Sequence, residues 1–383
     1  MDLTQSLSQA RANTDNLFDI VHPGALYERP IPERHRIIFY LGHLEAFDRN
    51  LLGPALDLPA FHAEFDKLFS FGIDPAEGDL PTDQPADWPS VAEVREYNAS
   101  ARAQVDAAIH RAPEQLLHVA IEHRLMHAET FAYMLHHLPL AQKIAPHHSV
   151  APSGAPPQNE MIEIPAGEAT LGRPRGDGFG WDNEFEQHQV DVPAFAVGRH
   201  KVTNGEYLEF VKAGAPAPHF WSCRNGQWRY CGMFEEIPLP LDWPVYVAQD
   251  QAQAYARWKG KSLLTEPQFH RAAYTSAPDF ARENVDFRSW DPEPVTASPP
   301  NSRGVSQMVG NGWEWTSSLF EPFEGFQPFP FYPGYSANFF DGQHYVLKGG
   351  SPRTARCFLR ASFRNWFRPA YPYIYATFRL AEN

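Results

Sequence analysis

The sequence contains little cysteine: Cys223, Cys231 and Cys357 are the only three among 383 residues. So small and odd a number argues against a secreted scaffold held together by disulfides. The first eighteen residues have neither the basic start nor the apolar core of a signal peptide. No uncharged apolar run approaches the roughly 20 residues that span a bilayer. We therefore expect a soluble protein of a reducing, cytoplasmic compartment.

Basic residues are also scarce, because 32 Lys and Arg stand against 46 Asp and Glu, which gives a formal net charge of −14. A protein that binds nucleic acid or an anionic membrane through phosphate contacts needs a basic face. The charge balance argues against both kinds of partner, and solubility alone accounts for it. With 43% apolar and 20% charged residues, the chain is globular and long enough for two domains.

The first part of the chain, residues 1–140, has the apolar spacing of helices. Three long stretches carry this spacing, 34–52, 90–110 and 113–138, and a further helix is expected near the N-terminus. Ser90 lies three residues before Glu93, which is the pattern of a capping box at a helix start. The spacing predicts an all-α four-helix bundle.

The remainder of the chain has a different texture. Residues 141–159 are rich in Pro, Ala, Ser and Gly and predict a linker. In residues 160–383, short apolar runs alternate with turns rich in Gly, Pro and Trp, and helical patches occur at 203–213, at 248–259 and after Thr265. This pattern predicts an α+β, loop-rich second domain, so the protein is expected to be multidomain.

Two histidines of the last predicted helix, His123 and His127, are the strongest chemical signal. Residues four apart lie on one helix face, about 40° apart around the axis, and this face is otherwise apolar. Buried neutral imidazoles are common metal ligands. Glu129 is two residues beyond His127, on the opposite side of the helix, so we do not expect it to be a ligand.

A third ligand is expected from another helix, and His43 is the best candidate because it shares an aromatic face with Phe39, Tyr40 and Phe47. The alternative is that all three histidines are core residues bonded to carbonyl groups. Three neutral histidines without a carboxylate suit zinc or iron(II), and the ligand types do not separate the two metals. His118 and His136 lie on the other face of their helix and are predicted to be at the surface.

Several strings of the second half resemble those of formylglycine-generating, sulfatase-modifying proteins. They are Leu263–Phe269 (LLTEPQF), Gly310–Thr316 (GNGWEWT), Lys348–Ser351 (KGGS) and the terminal Phe378–Leu380. The resemblance implies a formylglycine-generating-enzyme-like, C-type-lectin-like fold. Members that oxidise a cysteine use a cysteine pair, whereas here Cys357 is followed five positions later by Ser362. The chain therefore does not match the copper-dependent cysteine oxidases.

The order of the two halves resembles that of the ergothioneine-biosynthetic sulfoxide synthases, in which a DinB-like helical domain precedes the sulfatase-modifying-like domain. This resemblance implies an iron(II) ion on His43, His123 and His127, held beneath a substrate-binding second domain. It implies that O2 is used to join a thiol sulfur to imidazole C2 of hercynine (trimethylhistidine), giving a sulfoxide.

The same resemblance implies roles for further residues. Tyr332 matches the family's active-site tyrosine, as proton donor or redox partner, and Tyr335 is its neighbour. The string Arg364-Asn365-Trp366 matches a hercynine-pocket motif, and Trp366 and Phe367 are candidates to face the trimethylammonium group. Candidates for binding the donor are Arg95 and Tyr97.

Three departures from the family pattern leave the donor open. Phe367 stands where some members have an aspartate that helps to bind γ-glutamylcysteine, Met126 stands where some have glutamine, and the string around the first ligand is Phe39–His43 (FYLGH). A selenoneine synthase, which forms a C–Se bond from a selenosugar, is therefore an alternative. Thiol dioxygenation at the same iron and a non-catalytic binding module are further alternatives.

Overall fold

A computed structural model describes residues 2–71, 80–274 and 281–382 of the chain. The chain divides into two compact units, Met1–His147 and His148–Asn383. Within the described residues, no helix is both long enough and apolar enough to cross a membrane.

The first unit is helical, as the apolar spacing predicts. The three long helices expected between residues 34 and 138 are present, and each end lies within three residues of the predicted one. Ser90 caps α4 as expected: its Oγ accepts from the Glu93 amide at 3.3 Å, and Glu93 Oε2 accepts from the Ser90 amide at 2.8 Å. The helices are α1 Leu3–Phe18, α2 Ile37–Leu52, α3 Ala63–Phe71, α4 Val91–Ala108 and α5 Glu114–His136.

Helix α3 is the element that the sequence prediction lacks. It has nine residues, fewer than the roughly 11–18 over which helical apolar periodicity is recognised, so its spacing gives a weak signal. It packs on α2, which also packs against α4 and α5, while α1 packs on α5. The central position of α2 brings residues from α3 and α5 next to His43.

A largely buried network of ion pairs joins α1, α2, α4 and α5. Arg124 of α5, 1% exposed, donates to Glu45 Oε1 at 3.1 Å and to Asp48 Oδ2 at 2.7 Å, both on α2. Arg11 of α1 lies 3.7 Å from Asp48, and Arg102 of α4 lies 2.5 Å from Glu45. Buried charges are tolerated only when they are paired. The network therefore fixes α5 against α2 at the level of the histidines.

The second unit has the predicted α+β, loop-rich character. Its helices begin after Thr203, Ala248 and Thr265, within the three predicted patches, and run over α6 Asn204–Lys212, α7 Gln249–Trp258 and α8 Glu266–Ala273. Its strands are short: β1 Met161–Ile164, β2 Gly167–Leu171, β3 His188–Val192, β4 Phe195–Gly198, β5 Trp221–Arg224, β6 Gln227–Cys231, β7 Glu236–Pro238, β8 Trp313–Leu319, β9 Tyr345–Lys348, β10 Asn365–Phe367, β11 Ala376–Thr377 and β12 Ala381–Glu382.

The strands form four small sheets, in the orders β1-β4-β12, β2-β3, β5-β6-β7 and β10-β9-β8-β11. All neighbours are antiparallel except β8 and β11, which are parallel. The GNGWEWT string supplies β8 of the largest sheet, where Glu314 is buried and pairs with Lys201 at 2.7 Å and with Arg379 at 3.0 Å. This string is therefore part of the core of the unit.

Replacing Arg124 by methionine should destabilise the helical unit, because Glu45 and Asp48 would stay buried without their principal cation. We expect the free energy of unfolding of the helical unit to fall by about 3–5 kcal/mol. Amide hydrogen exchange of α5 in the full chain measures it. The control is Glu114→Gln, which removes the exposed partner of His118 on the same helix and should cost less than about 1 kcal/mol. Equal effects would contradict the assigned role of the network.

Candidate metal centre

Three histidines meet inside the helical unit, as the spacing predicts. His43 comes from α2, and His123 and His127 come from α5. One ring nitrogen of each lies within 4.8 Å of those of the others. His43 and His123 are buried, and His127 is partly buried. The described residues hold no other group of three or more His, Cys, Asp or Glu side chains arranged to bind a metal.

The orientation of His43 is set by a main-chain carbonyl. Its Nδ1 lies 2.6 Å from the carbonyl oxygen of Phe69, at the end of α3. Because a carbonyl oxygen can only accept, Nδ1 carries the proton and Nε2 presents its lone pair. That Nε2 lies 3.2 Å from Nε2 of His127. Ligand nitrogens at about 2.1 Å from an ion are roughly 3.0–3.4 Å apart at octahedral and tetrahedral angles. The spacing of these two nitrogens therefore fits a shared ion.

Aromatic rings cover the histidines. Phe39 stacks on His43 with ring centroids 4.8 Å apart, and Phe47 stacks on His123 at 3.3 Å with an angle of 8° between the rings. The ring centroid of Tyr40 lies 5.9 Å from that of His127. These are the residues that share the inward face of α2 in the sequence. They enclose the imidazoles in an apolar surrounding.

The same surrounding keeps the three imidazoles uncharged. Burial lowers the pKa of His43 to about 4, although the hydrogen bond to Phe69 opposes the shift. Burial lowers the pKa values of His123 and His127 well below the usual range, and each further imidazolium would repel its neighbours. Neutral imidazole is the form that binds metal ions. The site is therefore ready to bind a cation at neutral pH.

Two other residues of α5 test the helical spacing. Glu129 is half-buried and does not join the histidine cluster, in agreement with the prediction. The prediction that His136 lies at the surface is wrong, since its side chain is only 6% exposed. The reason is that α5 is covered on nearly all sides, so position around its axis does not separate core from surface. His118 is partly exposed and lies 3.8 Å from Glu114.

In the second unit, Tyr332 and Tyr335 border Trp181. Tyr335 stacks on Trp181 with ring centroids 3.9 Å apart, and Tyr332 meets the same ring edge-on at 6.4 Å. Asp182 is buried and accepts a hydrogen bond from Ser336. Burial and the nearby Asp182 carboxyl raise the pKa of the Tyr332 phenol. Tyr332 therefore keeps its proton throughout the neutral range.

The string from Arg364 to Phe367 lies on and beside β10. Trp366 stacks on Phe320 at 4.2 Å and meets Tyr335 edge-on at 5.4 Å, so the two predicted substrate motifs adjoin through these rings. Asn365 is half-buried, and its Oδ1 accepts from the Trp366 amide at 2.9 Å. Phe367 stacks on Tyr371 at 5.3 Å. The structure thus brings together Tyr332, Tyr335 and Trp366, while Phe367 joins a separate ring pair.

Arg364 is buried, at 3% exposed, and is engaged within the unit. Its Nε donates to Glu266 at 3.0 Å, its Nη1 donates to the Glu321 carbonyl at 2.9 Å, and its guanidinium lies over the ring of Phe323. These contacts hold the start of β10 in place.

The two candidates on α4 have different surroundings. Tyr97 is buried at 3% exposed, and its hydroxyl donates to Asp66 Oδ1 at 2.8 Å. Its ring packs against Phe61, Phe65 and Phe69. Arg95 is exposed. The donor-binding role of both residues stays a prediction.

The sequence prediction did not include Glu184, which is fully buried. Its carboxylate accepts from Arg360 Nε at 2.8 Å, from Ser362 Oγ at 2.6 Å and from the Trp181 amide at 2.8 Å. It therefore anchors the segment that carries Trp181 and Asp182. The sequence signal that bears on Glu184 is Ser362, which stands five positions after Cys357 in place of a second cysteine. Its hydroxyl donates to the buried Glu184 carboxylate.

Comparison with known proteins identifies both units. Residues 147–383 match the Sulfatase-modifying factor enzyme 1-like domain, and residues 6–145 match the DinB superfamily. Two fungal proteins named ergothioneine biosynthesis protein 1, from Neurospora crassa and Schizosaccharomyces pombe, are each 28% identical over 94% of this chain. The chain spans about half the length of these relatives, 55% and 53%.

A bacterial relative is covered more fully. The hercynine oxygenase of Mycolicibacterium thermoresistibile is 34% identical to this chain over 76% of it, and the match spans 75% of that relative. The resemblance expected from the sequence motifs is therefore confirmed over both units. The chain belongs to the sulfatase-modifying factor enzyme 1-like family, in the branch that pairs this domain with a DinB-like helical unit and includes the hercynine oxygenases.

Proposed function

We propose that the protein is a metal-dependent enzyme that uses O2 to join a thiol sulfur to imidazole C2 of hercynine, with a sulfoxide as product. One observation carries the proposal: three uncharged imidazoles converge in a chain whose relatives are named for hercynine oxygenation and ergothioneine biosynthesis. The names of these relatives give no support to the selenium alternative, so we propose sulfur as the transferred atom.

The proposed metal is iron(II), held by His43, His123 and His127. The residues fit it, because the ligand nitrogens are neutral and close together, and imidazole nitrogen is a suitable ligand for iron. Three protein ligands are typical of catalytic sites, whereas structural zinc sites have four. Zinc suits these ligands equally well but has no redox chemistry, which favours iron for a reaction with O2. When bound, iron supplies the one-electron steps with O2 that side chains cannot provide.

Tyr332 is the proposed proton donor of the reaction. Its phenol is protonated at neutral pH and so has a proton to donate. The raised pKa makes it a weaker acid than an ordinary tyrosine, so the proposed role depends on its position. The rings of Trp181 and Tyr335 pack against its ring. The nearby Asp182 carboxyl is itself positioned by a hydrogen bond from Ser336. The phenol thus has a restricted orientation, which proton transfer requires.

The proposed hercynine-binding residues lie on β10 and beside it. The aromatic faces of Trp366 and Tyr335 can attract a trimethylammonium group, and the Asn365 amide can bind the imidazole edge. Phe367 stacks on Tyr371, apart from these rings, and is not part of the proposed site. Arg364 supports them by fixing the strand through Glu266. For the thiol donor, the exposed guanidinium of Arg95 offers a partner to a carboxylate group.

Removal of one proposed ligand should weaken iron binding strongly. We expect His43→Ala, His123→Ala and His127→Ala each to weaken iron(II) affinity more than about 100-fold, since loss of an outer-shell partner alone costs 10- to 100-fold. Anaerobic titration measures the affinity. The control is His118→Ala, which removes a partly exposed histidine of the same helix. Unchanged affinity in any of the three ligand variants would contradict the assigned ligand set.

Turnover should need both substrates. With iron(II) restored, we expect O2 uptake only when hercynine and a thiol are present together, because the two partners are joined in one reaction. Mass spectra of products formed from hercynine with cysteine, γ-glutamylcysteine and a selenosugar in competition identify the donor. A sulfinic acid with unmodified hercynine would indicate thiol dioxygenation. A selenium-containing product would contradict the choice of sulfur, and absence of any product would favour a binding module.

Tyr332→Phe should lower kcat at least about 10²-fold, the lower bound of what a positioned proton donor contributes. Its KM for hercynine should stay near the wild-type value, because the ring is retained. Steady-state kinetics test this, with Tyr345→Phe on β9 as the control for loss of a phenol elsewhere in the unit. An unchanged kcat would remove Tyr332 from the mechanism.

A further inference from the structure

Gly42, the residue before His43 on α2, has no room for a side chain. A Cβ atom added there would lie 2.5 Å from Cδ1 and Cε1 of the Phe69 ring. Cβ atoms in protein structures essentially never come so close to a non-bonded heavy atom. Gly42 lies inside a regular helix and is not among the glycines with positive φ, so its backbone conformation does not require glycine. Close approach of Phe69 is what excludes a larger residue.

The Phe69 ring cannot move away at low cost. Its side chain is fully buried, and it packs against Phe65 at 5.4 Å, Tyr97 at 5.8 Å and Trp88 at 6.5 Å between ring centroids. Close-packed interiors resist even small changes of volume. A methyl group at position 42 would therefore push the Phe69 residue as a whole, and with it the end of α3, away from α2.

The main chain of Phe69 is what orients His43. The carbonyl lies 2.6 Å from Nδ1 and fixes both the ring and the proton on that nitrogen. Without this acceptor, the imidazole could carry its proton on either nitrogen and could rotate. Partners of this kind around a ligand typically change metal affinity 10- to 100-fold.

We infer that Gly42 is a positioning residue for the metal centre: its missing side chain lets α3 approach α2 closely enough for the Phe69 carbonyl to hold His43 with Nε2 toward the metal. The inference rests on the proposed function in taking His43 as a ligand. The proposed ligand set names only the three histidines. The inference adds Gly42 and the Phe69 carbonyl as the groups that orient one of them.

A double-mutant cycle tests the inference in the full chain, with Gly42→Ala, Phe69→Ala and the double variant. The measured quantity is the affinity for Co(II) or iron(II) alone under anaerobic conditions. Gly42→Ala should weaken binding about 10- to 100-fold. Phe69→Ala keeps the carbonyl and should bind more tightly than Gly42→Ala. The double variant should bind about as tightly as Phe69→Ala, because the shorter side chain lacks the Cγ, Cδ1 and Cε1 atoms that the added methyl group would meet.

Two outcomes of the cycle would overturn the inference. One is a Gly42→Ala protein that binds metal as the wild type does. The other is a double variant as weak as Gly42→Ala, which would show that the effect does not pass through Phe69. Alanine ordinarily stabilises a helix relative to glycine, so a purely local effect on α2 would strengthen folding and leave binding intact.

A second measurement does not depend on any variant folding. ¹⁵N NMR of the metal-free wild-type protein should show the His43 proton on Nδ1. A proton on Nε2 would overturn the inference, whatever the variants do. If the wild-type protein binds neither metal, the proposed function fails, whereas the His43 tautomer still decides whether Phe69 orients the ring.

Discussion

The arrangement of the three-histidine cluster depends on the buried ion pairs between Arg124 of α5 and the carboxylates of Glu45 and Asp48 on α2. His43 lies on one of these helices and His123 on the other, one residue from Arg124. A sliding or rotation of α5 against α2 would separate the three histidines. It would also break these ion pairs and leave their charges buried without partners. The free-energy cost of unpairing buried charges thus protects the relative placement of the histidines. A ring-stacked, apolar surrounding then keeps the imidazoles neutral.

The sequence predicts which three histidines meet, because their signal is local. His123 and His127 are related by helix periodicity, and His43 stands in a recognisable aromatic face. The contacts that orient them have no such signal. A main-chain carbonyl such as that of Phe69 is the same group in every residue, and α3, which supplies it, is too short for its apolar spacing to be informative. The error at His136 has a related cause, since a helix covered on all sides has no surface face.

In the second unit, the most recognisable sequence motif is part of the core and is not a candidate site. The GNGWEWT string makes the fold recognisable, and its residues form a core in which Glu314 is paired with Lys201 and Arg379. The candidate substrate residues lie on and near β10, in the same sheet as this string, and there Tyr335 joins the Tyr332 string to Trp366. Sequence motifs predicted both strings, but only the three-dimensional structure shows that they share one aromatic cluster, and that the Glu184–Arg360 pair anchors the segment of Trp181 beside it. The residues that identify the fold are thus different from the candidate substrate residues of the same unit.

All three histidines precede residue 128, within a compact unit that ends at His147. Proteins emerge from the ribosome N-terminus first, and domains generally fold as units in that order. The complete ligand set is therefore synthesised before most of the second unit exists. Formation of the histidine cluster and folding of the second unit are consequently separable steps during synthesis of the chain, and the order of the units along the gene places the former first.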